Sequence, residues 1–303
     1  MKNRQKAGGS LLLMLTALIW GVAFVAQSVG MEYVGPFTFN AVRSFVGALA
    51  LVPWICMAEH RKKKGKNTAE QALSSPGELV KGGILCGVLL CIASSLQQIG
   101  IGYTTVGKAG FLTALYIVIV PVLGIFTGKR TGLLLWVSVA LAAAGLYFLC
   151  MTEELSIGKG DRYVLLCAAV FSLHILAVDH YSPRVDAVKL SCIQFLVCGV
   201  LAGAPALLWE EAALSGILAA WAPVLYAGVL SCGVGYTLQV VGQQHLSPTV
   251  ASLILSMESL FSVLAGWLIL GQRLKGREIL GCVLMAAAIV LAQTVKTEAK
   301  PSF

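Results

Sequence analysis

The sequence predicts an all-α polytopic membrane protein, with ten transmembrane helices arranged as two inverted five-helix repeats. Three observations predict it. Hydrophobic residues fill 58% of the 303 positions and mean hydropathy is +0.85. Charged side chains make up 12%, against about 25% in an ordinary soluble domain, too few to cover a water-facing surface. The apolar residues fall into successive runs of about 20, the length that crosses roughly 30 Å of hydrocarbon. This composition excludes a soluble globular enzyme, a disordered chain and a disulfide-stapled secreted domain. The net charge of +8 marks no nucleic-acid face, because Lys and Arg cluster between apolar runs, as they do beside a membrane. The nine cysteines all lie in apolar stretches without a C-x-x-C pair. They read as small buried hydrophobes, and no metal site or cofactor is expected.

The runs follow in order. The first, 11–27, is preceded by Lys2, Arg4 and Lys6 as a secretory signal would be. No small-x-small cleavage site follows, so it is retained as helix one. The second, 37–57, carries Arg43 and is followed by the basic string Arg61, Lys62, Lys63 and Lys64. The third, 79–97, contains Gly83-x-x-x-Gly87, two small residues on one helix face that permit close packing within the chain or in a dimer. The fourth, 105–126, holds Lys108 and Pro121, and the fifth spans 131–150. The sixth to eighth, 162–178, 187–208 and 217–240, carry His174, Gln194 and Tyr236 in turn. The ninth, 248–270, contains Glu258, and the tenth spans 276–294. Each run is apolar on every face, unlike the alternating segments of a transmembrane barrel, and lipid leaves a helix as the way to satisfy the backbone.

Orientation follows from the loops. With the N-terminus inside, 15 Lys and Arg face the cytoplasm and five, including Arg273 and Arg277, face outward. Both termini are therefore expected on the cytoplasmic side of the cell membrane.

The two halves also match. At a spacing of 142, Gln97 aligns with Gln239, Gly100 with Gly242 and Ala109 with Ala251. Earlier in the chain the spacing is nearer 151, pairing Trp20 with Phe171 and Val34 with Val185. Repeats of 10–150 and 160–294 result. Five helices per repeat make the second half upside down relative to the first, a device by which transporters expose a midplane site to alternate sides.

Trp20-Gly21, Arg43, the string from Lys108 to Tyr116 leading to Pro121, and Met257-Glu258-Ser259 stand in the order and spacing of a known family. Over residues 10–294 the chain resembles the EamA family of the drug/metabolite transporter superfamily. The resemblance implies secondary transport of small metabolites, often export of amino acids or related compounds, without ATP hydrolysis. A string satisfying G-x-x-x-x-G-K ends at Lys108, but Ala109 replaces the magnesium-binding Ser/Thr and no strand precedes it, so no phosphate loop is present.

A charge at mid-bilayer costs at least about 2.5–3.5 kcal/mol, so each intramembrane polar group needs a reason. Arg43 either binds a substrate carboxylate or ties helices together. Glu258 is a candidate proton carrier, with His174 a second, and both have the alternative of a static interior bond. Lys108 pairs with a substrate anion or with a carboxylate of the chain. Gln27, Asn40, Gln97 and Gln239 either bond helix to helix or converge on a cavity to read a zwitterion. Trp20, Tyr116 and Tyr236 are candidates for an aromatic pocket wall. The expected function is a secondary active transporter, an exporter of small polar metabolites such as amino acids, working by alternating access and proton-coupled through Glu258. A transporter or flippase of a lipid-linked or amphipathic substrate is the alternative. The expected partners are a small-molecule substrate and the lipid bilayer, with no nucleic acid, as a monomer or homodimer.

Overall fold

The computed structural model describes residues 2–63, 75–104, 106–126, 132–150, 157–211, 213–270 and 275–294. Seven of the twenty charges used for orientation, Lys64, Lys66, Lys129, Arg130, Arg273, Lys296 and Lys300, lie outside them. Among the described residues every element is helical. Helix α1 (Lys2–Gly30) leads to α2 (Pro36–Lys63) and α3 (Pro76–Ile101). A fourth passage is broken into α4 (Val106–Ala114) and α5 (Tyr116–Phe126), and α6 (Leu133–Cys150) follows. The second half begins with α7 (Lys159–Tyr181), α8 (Ala187–Trp209) and a short α9 (Leu214–Ala219). Its third passage is composite, made of α10 (Trp221–Leu225), a π-helical segment (Tyr226–Tyr236) and α11 (Thr237–Gln243). A second broken passage, α12 (Pro248–Leu255) and α13 (Met257–Leu270), precedes α14 (Gly276–Thr294).

Among the described residues eight spans, from Arg4–Gly30 to Pro248–Ala265, are long and apolar enough to cross a membrane. Helix α6 contributes only a shorter apolar stretch, Leu133–Leu149, and α14 has 19 residues. Length and composition among the described residues thus mark eight crossings, with α6 and α14 outside that set. Large apolar side chains such as Leu49, Trp54, Val200 and Val283 lie exposed on the outer surface, as lipid permits and water does not. The cysteines follow the same division. Cys86, Cys91, Cys167, Cys192, Cys198 and Cys232 are buried, whereas Cys56 is exposed and Cys282 half-buried, against the expectation that all lie inside.

The helix limits repeat the spacing seen in the sequence. Helices α1 and α7 end at Gly30 and Tyr181, and α2 and α8 begin at Pro36 and Ala187, each pair 151 residues apart. Helices α3 and α11 end at Ile101 and Gln243, 142 residues apart. Packing follows the same two-fold pattern. Helix α2 packs on its counterpart α8, and α6 on its counterpart α14. The contact of α3 with α7 has its mate in the contact of α1 with the π-segment and α11.

Glycine sets how closely those mates approach. A Cβ on Gly9 would lie 2.9 Å from the Gly242 carbonyl oxygen, and one on Gly242 3.0 Å from that of Gly9. The counterpart pair does the same, with 3.0 Å from Gly100 to the Gly160 oxygen and 2.8 Å in return. Backbones meet there without side chains between them, the small-residue packing that lipid-embedded helices rely on. Gly87 likewise faces α8, 2.8 Å from the Gln194 oxygen for an added Cβ, so the Gly83-x-x-x-Gly87 pair serves packing inside the chain.

The broken passages have separate causes. In α5 Pro121 has no N–H to give to the carbonyl of Ile117 four residues back, and the break from α4 lies two residues earlier, at Leu115, whose carbonyl accepts from both Val118 N (3.0 Å) and Ile119 N (3.3 Å). The second half lacks that proline. There Ser252 and Ser256 turn their hydroxyls back onto the carbonyls of Thr249 (2.9 Å) and Leu253 (2.8 Å), a competition that bends helices. Ser259 then donates 3.0 Å across to the Gly110 oxygen, tying α13 to α4 where the two broken passages meet.

Candidate functional site

Between the halves lies a tight cavity, with room for little more than water molecules. Trp20, Gln27, Arg43, Gln97, Tyr116, Tyr236, Gln239 and Glu258 line it, together with Ala23, Phe24, Thr113, Phe171, Ile175 and Ser231. Much of the lining comes in repeat-related pairs. Trp20 and Phe24 on α1 face Phe171 and Ile175 on α7, each pair 151 apart. Gln97 and Gln239, like Tyr116 and Glu258, stand 142 apart. The last pair touches, with the Tyr116 hydroxyl donating to Glu258 Oε1 at 3.0 Å just beyond the two helix breaks.

The charges depart from this symmetry. Arg43 corresponds to Gln194 and Glu258 to Tyr116, so each repeat supplies one charge at a place where the other has none. Both are almost wholly buried, with 5% and 4% of their surface exposed. Arg43 sits on α2, where its Nε donates to Asn40 Oδ1 at 3.1 Å and its guanidinium lies 5.8 Å from the centre of the Phe39 ring. Asn40 in turn donates from Nδ2 to Ser94 Oγ (2.9 Å) and Ser95 Oγ (3.0 Å) on α3. Those two donations fix which way the amide points and leave its oxygen for the guanidinium. Among the described residues neither Arg43 nor Glu258 forms a salt bridge. Gln27 and Gln239 each present a buried Oε1 with no hydrogen-bond partner, while Gln97 Nε2 donates to Thr113 Oγ1 at 3.2 Å.

The aromatic wall is Trp20 against Tyr236, ring centres 4.4 Å apart. It rests on the π-segment, where Gly235 lies against Trp20 of α1. Thr16 Oγ1 donates to the Gly235 oxygen (3.1 Å) and Trp20 Nε1 to that of Ser231 (3.4 Å). Tyr226 returns a bond to the Ile19 oxygen at 3.0 Å.

Three sequence candidates fall elsewhere. Asn40 stands behind Arg43 rather than on the cavity wall. Lys108 bridges to Asp161 on α7 at 2.6 Å, and Thr104 also donates to that carboxylate at 2.8 Å. His174 is fully buried behind Tyr236, its Nε2 sharing a 3.1 Å hydrogen bond with Gln194 Oε1. Sequence reading passed over Thr113, Ser231 and the apolar wall of Phe24 and Ile175. The 151 spacing carried the signal for the last two, since they continue the Trp20–Phe171 alignment one helical turn on. Among the described residues no group of three His, Cys, Asp or Glu side chains could hold a metal ion.

The sequence model described as the EamA-like transporter family matches residues 7–151 and again 158–294. The chain belongs to the EamA-like transporter family. An uncharacterized transporter of Archaeoglobus fulgidus is 28% identical over 280 residues, covering 92% of this chain and 83% of that protein. The uncharacterized transporter YoaV of Bacillus subtilis is 23% identical, over 90% of this chain and 92% of its own length. Protein PagO of Salmonella typhimurium is 24% identical, over 86% and 84%. A solved crystal structure superimposes with a TM-score of 0.75 over 94% of this chain and 96% of its own, at 16% identity, which shows a shared fold. As an EamA-like transporter this is a multi-pass membrane transporter and not an enzyme, with the EamA unit present twice.

Proposed function

We propose that this EamA-like transporter exports small zwitterionic metabolites, amino acids foremost, by alternating access through the central cavity. The observation that carries the reading is that Arg43 and Glu258 border one buried cavity, each without an ion-pair partner among the described residues. A buried charge with no counter-charge is costly; a substrate carboxylate relieves that cost at Arg43, and taking up a proton relieves it at Glu258. Arg43 receives the substrate carboxylate. The unpartnered oxygens of Gln27 and Gln239 accept from its ammonium, and Trp20, Tyr236, Phe24 and Ile175 enclose the side chain. Glu258 is the proton carrier, its carboxylate accepting from the Tyr116 hydroxyl when the proton is off, while His174 stays a static contact behind Tyr236. Helices α6 and α14 complete ten crossings in the cell membrane, the five-helix repeats are inverted, and both termini face the cytoplasm.

The test is uptake of a mixed panel of labelled amino acids into proteoliposomes, with and without an imposed pH gradient. Saturable, gradient-stimulated flux of one chemical class is expected. Flux confined to lipid-linked or amphipathic compounds would replace this reading with a flippase, and undiminished flux in both Arg43→Ala and Glu258→Gln would remove the site assignment.

A further inference from the structure

The contacts at the two ends of the α2–α8 pair are related by the same 151-residue spacing that relates the repeats. Glu59, near the C-terminal end of α2, pairs with Lys189 on the first turn of α8. Its counterpart Glu210 caps the C-terminal end of α8 and reaches the first turn of α2, where its two carboxylate oxygens accept from the backbone N–H groups of Phe37 (2.9 Å) and Thr38 (2.7 Å). Thr38 is the counterpart of Lys189. Each repeat thus sends one glutamate to the opposite repeat, and the two contacts lie at opposite ends of the helix pair.

A difference in capping explains why the partners differ. The N-terminal turn of α8 is satisfied locally, because Asp186 accepts from Val188 N (3.0 Å) and Lys189 N (3.1 Å). That leaves the Lys189 ammonium for Glu59. Gly35 holds the position equivalent to Asp186 and has no side chain to cap α2. A Cβ on Gly35 would lie 2.6 Å from Glu210 Oε1, so its absence is what lets the distant carboxylate in. Between these ends the helices stay packed, with Ser44 Oγ donating to Cys198 Sγ at 3.3 Å and Gly199 pressed against Phe45. A pair held at its middle and tied at both ends opens one end more readily when the other is closed.

We infer that Glu210 and Glu59 are the two opposed latches of the transport cycle, Glu210 closing one face of the protein and Glu59 the other. The inference rests on the alternating-access reading above. The latches are unequal. Lys189 and Glu59 keep 32% and 46% of their side chains exposed, which screens the pair, whereas Glu210 makes two charge-assisted bonds at a helix N-terminus. The structure matches that ranking, since an open recess of about 520 Å³ lies beside the Glu59 latch, lined among others by Trp54, Glu59, Lys189 and His245. The resting protein is therefore held shut at the Glu210 face and yields first at the Glu59 face.

The experiment is hydrogen exchange of the full chain in lipid nanodiscs, comparing wild type with Glu210→Ala, Glu59→Ala and Gly35→Ala, the last displacing the Glu210 carboxylate while keeping it in the chain. Glu210→Ala and Gly35→Ala are expected to speed exchange at the α2 start and α8 end and to slow it at the α2 end and α8 start. Glu59→Ala is expected to give the reverse. A purely structural contact loosens its own end alone, so faster exchange at the altered end without slowing at the other overturns the latch. Wild-type flux in proteoliposomes separates the two levels: saturable flux with no reciprocal exchange overturns the latch alone, and absence of saturable flux overturns the reading beneath it.

Discussion

Arg43 is anchored at a single nitrogen, leaving the rest of its fork toward the cavity. Asn40 bonds Nε, and the two outer nitrogens are the pair that grips a carboxylate bidentately. Arg43→Lys keeps the charge but loses that fork, so it is expected to weaken substrate binding nearly as much as Arg43→Ala. Each should raise KM about tenfold or more, the weight of a charged hydrogen bond, with little loss of folded protein. Substrate-dependent fluorescence of the neighbouring Trp20 would read it out. Asn40→Ala frees Nε and strips Ser94 and Ser95 of their shared donor without removing the charge. A smaller rise in KM than in Arg43→Ala is expected, and an equal rise would put Asn40 itself on the substrate. Glu258→Gln keeps the bond from the Tyr116 hydroxyl but carries no exchangeable charge. Counterflow should persist while stimulation by a pH gradient is lost, and retained stimulation would move the proton to another group.

The helices show why some positions were legible before the structure and others were not. Gly100 and Gly242 align in the sequence, as do Gly160 and Gly9, yet the alignment does not say which glycine touches which. Their partners Gly160 and Gly9 lie on helices of the opposite repeat, and only the assembled fold joins them. Adding a methyl group at Gly242 forces the α1 and α11 backbones apart, an overpacking cost of about 1–3 kcal/mol. Gly242→Ala and Gly100→Ala should therefore lower the detergent melting temperature, and Gly203→Ala, with nothing within 4 Å of the added atom, should leave it unchanged. Equal melting temperatures in all three would mean the helix pairs relax without cost. The break at Ser256 has no proline, only hydroxyls whose choice of acceptor the sequence leaves open.

At the scale of the whole molecule, the cavity belongs to neither repeat. The helical class, the two matching halves and eight of the cavity-lining residues were legible because apolar run length, spacing and isolated polar groups are local properties of the chain. Lys108 and His174 were set among the cavity candidates because a polar group in an apolar run looks the same whether it faces a cavity or a neighbouring helix. Only packing reveals Asp161 beside the one and Gln194 beside the other. Arg43 lies in the first repeat and Glu258 in the second, and Tyr116 reaches Glu258 across the divide. Residues 7–151 and 158–294 expressed as separate chains should therefore each fail to bind substrate, while their co-expression restores binding. The contacts that rebuild the site, α2 on α8, α3 on α7 and α1 on the π-segment, all run between the halves rather than within one. Binding by either half alone, measured by retention of labelled substrate on the purified protein, would show that one repeat carries a complete site and that the shared cavity is not the place of recognition.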